Sequence, residues 1–352
     1  MSTKKTLILA GLMLAAALLF AACAGPQGEP GPAGPAGAQG PEGPAGPAMT
    51  VADLTCTQCH NDTALISSKR ANWQESLHGQ GTAFYEEGGN KSCAFCHSGA
   101  AFSEAIKAGQ NFTQLESGDA NPTHQDCRTC HQIHTTYTED DWALETDAAV
   151  SMVVSGATFD GGAGNLCVNC HQARRYLANF VAKDKDGNVI PDKYASSVRF
   201  NSHLSVQGDV MLGVLDVNAI LGVEGKESPH YSKVENTCVG CHLGSAGNHS
   251  FEPRIETCVE CHSDATDLNI NGNETAFEEK YQALKDALTA KGMLDKDGVP
   301  VAKNADGSPV LLDPGPAAAL YVYGTLEEDA SFGAHNPGYV NALLDAALEA
   351  LK

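Results

Sequence analysis

The segment Cys167-Val168-Asn169-Cys170-His171 places two thiols two residues apart and follows them directly with an imidazole. The same Cys-x-x-Cys-His pattern occurs six times and uses twelve of the thirteen cysteines, leaving only Cys23. The six motifs are Cys56-Cys59-His60, Cys93-Cys96-His97, Cys127-Cys130-His131, Cys167-Cys170-His171, Cys238-Cys241-His242 and Cys258-Cys261-His262.

This motif is typical of a c-type haem attachment site. Two thiols on one short turn can form thioethers with the two vinyl groups of a porphyrin, and the next imidazole then reaches the iron. A single copy would also fit a zinc half-site, a redox dithiol or a disulfide. Six copies that all end in histidine favour six covalently attached haem c groups, with His60, His97, His131, His171, His242 and His262 as proximal ligands.

Seven further histidines are candidates for the second axial position of these irons, and one of them exceeds the number needed. Since His134 follows His131 by three residues, both rings would leave one helix face, so we expect His134 to serve a neighbouring haem. His335 lies far beyond the last motif, and it could complete a haem of this chain, be spare, or reach another subunit. The seven candidates are His78, His124, His134, His203, His230, His249 and His335.

The N-terminus predicts export. Lys4 and Lys5 precede a weakly polar to apolar run, so residues 1–22 fit a signal peptide better than a membrane span. The run ends in Leu19-Phe20-Ala21-Ala22-Cys23, which resembles a bacterial lipobox with Cys23 as the acylated residue. Ordinary cleavage after Ala22, leaving a free thiol, is the alternative. Acylation would anchor the protein to a membrane surface.

Residues 23–48 join this cysteine to a collagen-like segment. Glycine recurs at every third position from Gly25 to Gly46, usually followed by proline. A strict three-residue glycine period is what a triple helix requires, but eight triplets are few for a trimer. A semi-rigid single-chain stalk has the same composition, and we favour it.

Composition restricts the rest of the chain. Aromatic residues make up only 6% of the 352 residues, and the formal charge is −21, which argues against a large apolar core and excludes nucleic acid as a partner. We expect a mainly α protein with much irregular loop and a few short β-hairpins, organised by haem. Residues 49–272 would form the six-haem domain, and residues 273–352 a helical region with short hairpins.

Local signals support this fold class. Phe277, Leu284 and Leu288 share one face of a helix predicted from about Glu274 to Ala290. Asn336-Pro337 is typical of the start of a C-terminal helix. Three Asp-Gly pairs predict hairpin turns, at Asp186-Gly187, Asp297-Gly298 and Asp306-Gly307.

In its organisation the chain resembles multihaem c-type cytochromes, in particular the outer-surface lipoprotein cytochromes of metal-reducing bacteria. Residues 73–79, 248–253 and 333–337, which contain His78, His249 and His335, look like distal-ligand segments of this class. The resemblance implies an electron carrier with bis-histidine haems, and it covers residues 23 to 262. Six haems rather than ten, without two evident β-barrel domains, argue against the four-domain architecture of that class.

The sequence therefore predicts single-electron transfer at the cell surface or outer membrane, towards an extracellular acceptor or another redox protein. A nitrite- or hydroxylamine-type multihaem reductase is one alternative, but it needs an iron with an open coordination position. A subunit of an extracellular cytochrome filament, or another homo-oligomer, is a second alternative.

Overall fold

The computed structural model describes residues 64–203 and 205–352. The predicted signal peptide (1–22), Cys23, the collagen-like segment and the first motif, Cys56-Cys59-His60, lie outside the described residues. No helix within the described ranges combines the length and the apolar character that crossing a bilayer requires.

Short helices joined by irregular loops make up residues 64–272. Twelve α-helices lie in this part: α1 Ala64–Glu75, α2 Leu77–Gln80, α3 Ala83–Glu87, α4 Ala94–His97, α5 Gly99–Lys107, α6 Cys127–Cys130, α7 Gly164–Val168, α8 Gln207–Leu212, α9 Asn218–Leu221, α10 Pro229–Lys233, α11 Cys238–His242 and α12 Ile255–Cys258. Three longer helices follow, which are α13 Asn273–Ala290, α14 Pro314–Asp329 and α15 Pro337–Glu349. Three 3₁₀ turns complete the set, at Glu139–Trp142, Leu177–Phe180 and Ile270–Gly272.

Within residues 64–203 and 205–352, five short strands form two antiparallel sheets. They are β1 Val150–Ser151, β2 Thr158–Phe159, β3 Val181–Lys183, β4 Val189–Ala195 and β5 Leu311–Leu312. β1 pairs with β2, and the second sheet has the order β3-β4-β5, with Tyr194 opposite both Val181 and Leu312. The turn at Asp186-Gly187 joins β3 to β4, whereas the other two predicted turns close on single bridges. The predicted class, mainly α with loops and a few short hairpins, is confirmed.

The C-terminal helices form around an apolar core. α13 buries Phe277, Leu284 and Leu288, as the sequence predicts. The side chain of Asn336 accepts a hydrogen bond from Tyr339 N and caps α15. α14 has no apolar stripe, because it is buried on nearly every side, and for that reason periodicity did not predict it.

Apolar packing is unevenly distributed along the chain. The largest core cluster joins α13, α14 and α15 to residues 173–217, so the haem-motif region and the C-terminal helices share one core. Two much smaller clusters lie among the motifs, one around Phe95 and Phe102 and the other around Met152 and Phe159. The motif region therefore depends less on side-chain packing than the C-terminal helices do.

One buried carboxylate ties this shared core to the chain after the fourth motif. Asp209 of α8 accepts hydrogen bonds from Ala173 N at 2.7 Å and from the Tyr176 hydroxyl at 2.6 Å. Burial raises the pKa of Asp209 to about 6, although both hydrogen bonds act to lower it. The folded protein therefore holds the proton of Asp209 more tightly than the unfolded chain does.

We predict that Asp209 makes stability depend on pH between about 4 and 6. Because its pKa is higher folded than unfolded, its contribution is complete below the unfolded value and is lost as pH rises through about 6. Between about pH 4 and pH 6, the free energy of unfolding of the wild-type protein should fall by about 2–3 kcal/mol more than that of Asp209→Asn. Denaturant unfolding at several pH values tests this, with the exposed Asp286→Asn as charge control. Parallel curves for wild type and Asp209→Asn would contradict it.

Candidate haem sites

Each described Cys-x-x-Cys-His motif lies on a single helical turn. In the second, third, fourth and sixth motifs, the backbone N–H of the histidine donates to the carbonyl of the first cysteine at 2.8–3.0 Å, and the fifth motif lies entirely within a helix, so both thiols and the imidazole share one turn. The Asp126 side chain caps the turn of the third motif by accepting from Arg128 N at 2.9 Å. The turns are α4, α6, α11 and the C-terminal ends of α7 and α12.

Every described motif histidine faces one histidine from outside the motifs. The distances between ring centres fall between 6.2 and 6.4 Å in all five pairs, although the interplanar angles vary from 27° to 83°. The pairs are His171 with His78, His97 with His203, His131 with His249, His262 with His230, and His242 with His335.

This separation fits an iron between two imidazoles. With metal–nitrogen bonds of about 2 Å and each ring centre about 1.1 Å behind its nitrogen, two axial imidazoles place their centres about 6.2 Å apart. Directly stacked aromatic rings usually lie closer than this, whereas edge-to-face pairs overlap the range, so the spacing alone would be weak evidence. Its recurrence in five pairs, each combining one motif and one non-motif histidine, fits haem ligation.

The second ring nitrogen of several of these histidines is held by an acceptor. Because each partner atom is an oxygen acceptor, Nδ1 carries the proton and Nε2 keeps its lone pair for a metal. Four partners are backbone carbonyls, one is an amide oxygen and one is a carboxylate. They are Trp142 O for His131, Ala334 O for His230, Phe251 O for His242, Gly247 O for His249, Gln207 Oε1 for His171 and Asp329 Oδ1 for His335, at 2.6–3.0 Å.

The protonation of six of the paired rings also suits metal binding, whereas Asp329 raises the pKa of His335 although burial acts to lower it. Burial, with smaller repulsion from His171 and His242, lowers the pKa of His78 to about 4. Burial and the neighbouring arginines lower the pKa of His203 to about 4 as well. Burial is likewise the largest cause of the lowered pKa of His97, His171, His242 and His249. Neutral imidazole is the form that binds iron, and these rings hold it at neutral pH.

Two candidate histidines lie apart from the five pairs. The ring of His124 packs on Phe84 with centres 4.0 Å apart and contacts Trp73 edge-on at 6.1 Å, and its Nδ1 is buried without a hydrogen-bond partner in the described structure. His134 is exposed, has a left-handed backbone with φ 64°, and stacks on Tyr137 at 5.4 Å. His131 faces His249 rather than His134.

The motif cysteines of different sites approach one another. Cys96 and Cys170 lie close enough to shift one another's thiol pKa, and so do Cys167 and Cys238. Cys130 packs in the same small cluster as Cys96 and Cys170, and burial raises its thiol pKa to about 12. The fourth motif therefore lies beside the second, third and fifth. None of the ten described cysteines forms a disulfide.

Sequence reasoning did not find the residues that hold these ligands. Gln207 and Asp329 lie outside any motif, and their spacing from His171 and His335 carries no recognisable signal. Asn336 also anchors the segment after His335, since its side-chain amide donates to Lys226 O at 2.8 Å. What marks these residues is a buried polar side chain beside a candidate histidine, and that proximity can be recognised only once the fold is known.

No protein-family model matches the chain. Over 286 residues it is 26% identical to the C-type polyheme cytochrome OmcB of two Geobacter sulfurreducens strains, an alignment that covers 66% of this chain. The chain spans about a third of these relatives, since the alignment covers 36% of their length.

The chain is also similar in part to two solved structures. The outer cell wall cytochrome OcwA gives a TM-score of 0.47 at 19% identity, covering 81% of this chain and 50% of that one. The undecaheme cytochrome from the S-layer of Carboxydothermus ferrireducens gives 0.45 at 19% identity, covering 79% and 40%. The polyheme relatives and the six Cys-x-x-Cys-His motifs together support a multihaem c-type cytochrome.

Proposed function

We propose that this cytochrome passes single electrons through six bis-histidine haems at the cell surface, towards an extracellular acceptor or a partner cytochrome. The observation that carries the proposal is the recurrence of facing histidine pairs at 6.2–6.4 Å. Two imidazoles fill both axial positions of an iron, which leaves no position for a substrate. Such an iron suits electron transfer rather than nitrite or hydroxylamine reduction.

The five facing pairs give the distal ligands of five haems in this proposal. For the first motif, His60, the remaining candidates are His124 and His134. We assign His134, because the His124 ring is packed between Phe84 and Trp73 and its Nδ1 has no acceptor in the described residues. His335 serves the iron of His242 in its own chain, so a filament joined through His335 is not part of this proposal.

The contacts between motif cysteines suggest the route of the electrons. The thioethers of Cys96 and Cys170 would bring the second and fourth haems edge to edge, and those of Cys167 and Cys238 would do the same for the fourth and fifth. Cys130 brings the third site to the same place. The fourth haem is then a junction through which electrons from the second and third sites reach the fifth and sixth.

The charge of the chain bears on its partners. A formal charge of −21, with two propionates added per haem, favours basic partner surfaces or cationic acceptors over anionic ones. Export and acylation of Cys23 would place the protein at the outer surface, where such an acceptor is reached directly.

We predict that His249→Ala converts one haem from low-spin to high-spin iron. Removing the imidazole opposite His131 leaves that iron with five ligands, while the other sites keep both. Electron paramagnetic resonance of the oxidised protein should show one new high-spin signal of one haem equivalent.

The spare histidine provides the matched control. His124→Ala should leave the spectrum entirely low-spin, whereas His134→Ala should produce one high-spin haem. The reverse result would exchange the roles of these two residues. A large high-spin fraction in the wild-type protein, or nitrite reduction by it, would refute the bis-histidine proposal itself.

A second prediction concerns the junction. Replacing Cys167 and Cys170 by alanine should remove the fourth haem and interrupt the route, so that part of the remaining haem is reoxidised at least tenfold more slowly in stopped-flow with a bulky acceptor. Replacing Cys127 and Cys130 should remove one haem without creating this slow phase. Mass spectrometry counts the haems, and circular dichroism checks the fold. Equal kinetics in the two variants would rule out the junction.

A further inference from the structure

One of the proposed ligand histidines has a charged hydrogen-bond acceptor, whereas the acceptors of the others are neutral. Four of the six Nδ1 acceptors are backbone carbonyls and one is the neutral amide of Gln207. His335 instead donates to the carboxylate of Asp329, 2.8 Å away. Among the hydrogen-bonded ligand histidines of the described chain, His335 alone has a carboxylate partner.

The Asp329 carboxylate is buried and fixed in place. Only 2% of its side chain is exposed, at the last residue of α14. Ala330 then turns the chain with a left-handed φ of 52°, and the hydroxyl of Ser331 donates to the second carboxylate oxygen. The backbone N–H of His335 donates back to the same hydroxyl at 3.3 Å. The loop thus holds the carboxylate and the imidazole in one geometry.

No lysine or arginine of the described chain forms an ion pair with Asp329. Its negative charge is therefore not neutralised by a cationic side chain and acts on the neighbouring His335. A carboxylate acceptor draws the Nδ1 proton towards itself and makes the ring a stronger electron donor through Nε2. It also places a negative charge close to the metal in a medium of low dielectric constant. Both effects stabilise ferric iron relative to ferrous iron and therefore lower the reduction potential.

Resting on the His242–His335 ligation proposed above, we propose that Asp329 is a positioning and tuning residue that gives the fifth haem the lowest reduction potential of the five described sites. The fifth motif contacts the fourth through Cys238, and its second thiol, Cys241, lies near Cys258 of the sixth. A low potential here makes this haem the uphill step between the junction and the sixth haem. Asp329 then controls how electrons divide between the two sides.

Gln207 provides the internal comparison. Its Oε1 accepts from His171, while its Nε2 donates to the carbonyls of Glu328 and Asp329 at 3.3 and 3.4 Å. The fourth and fifth sites are therefore supported by the same short segment, one through a neutral amide and the other through a charged carboxylate. The two sites therefore set a neutral acceptor beside a charged one.

The test is a spectroelectrochemical titration of the holoprotein and of Asp329→Asn, which keeps an oxygen acceptor for His335 but removes the charge. We expect the lowest-potential haem equivalent to move upward. Its ferrous-to-ferric ratio at the wild-type midpoint should rise about tenfold or more, which is about 59 mV for one electron. Glu328→Gln is the control. It removes an equal charge from the residue next to Asp329, and the Glu328 carboxylate accepts a hydrogen bond from Asn201 rather than from an imidazole. Its shift should be clearly smaller.

His335→Ala identifies the haem concerned. Its iron should become high-spin, and the component that disappears from the low-spin titration should be the one that Asp329→Asn shifts. If wild type and His335→Ala behave as expected but Asp329→Asn moves no component, or moves none further than Glu328→Gln does, Asp329 has no tuning role. If His335→Ala produces no high-spin iron, the proposed ligation has failed instead.

Discussion

The separation of facing imidazoles is the constraint on which the motif region depends. Each pair joins a short motif turn to a residue far away in the sequence, such as His78 with His171 or His131 with His249. The apolar clusters around these turns are small. Ordering long loops carries a large entropic cost, and little side-chain packing is present here to offset it. With the proposed ligation, metal–ligand bonds and porphyrin surface would supply much of the stabilisation.

The C-terminal helices, in contrast to the motif region, are stabilised by ordinary apolar packing. α14 and α15 are held by the largest apolar core, and the loop between them carries both Asp329 and His335. Asn336 then ties the start of α15 to the carbonyl of Lys226. The well-packed part of the chain therefore fixes His335 together with the Asp329 carboxylate, with a precision that a free loop would lack.

The sequence predicted the covalent chemistry and left the pairing open. Motif spacing assigns each attachment turn and its own histidine, because both are local, and the count of other histidines limits the distal candidates. It could not say that His335 faces His242, since that contact depends on how α14 and α15 pack. The helix α13 was predicted from its stripe, whereas α14 was missed because burial on all sides leaves no period.

The backbone near the ligands explains why local patterns fail there. Residues other than glycine adopt left-handed conformations at His203 (φ 70°), at Thr237 just before Cys238 (φ 42°) and at Phe251, whose carbonyl accepts from His242 (φ 60°). Each such conformation costs about 1 kcal/mol or more, and propensity would not select it. These residues lie where a ring or a carbonyl must point at a partner, so the geometry of the ligands sets the backbone there. A protein built in this way specifies its haem positions through long-range pairing, and its sequence shows that pairing only as isolated histidines.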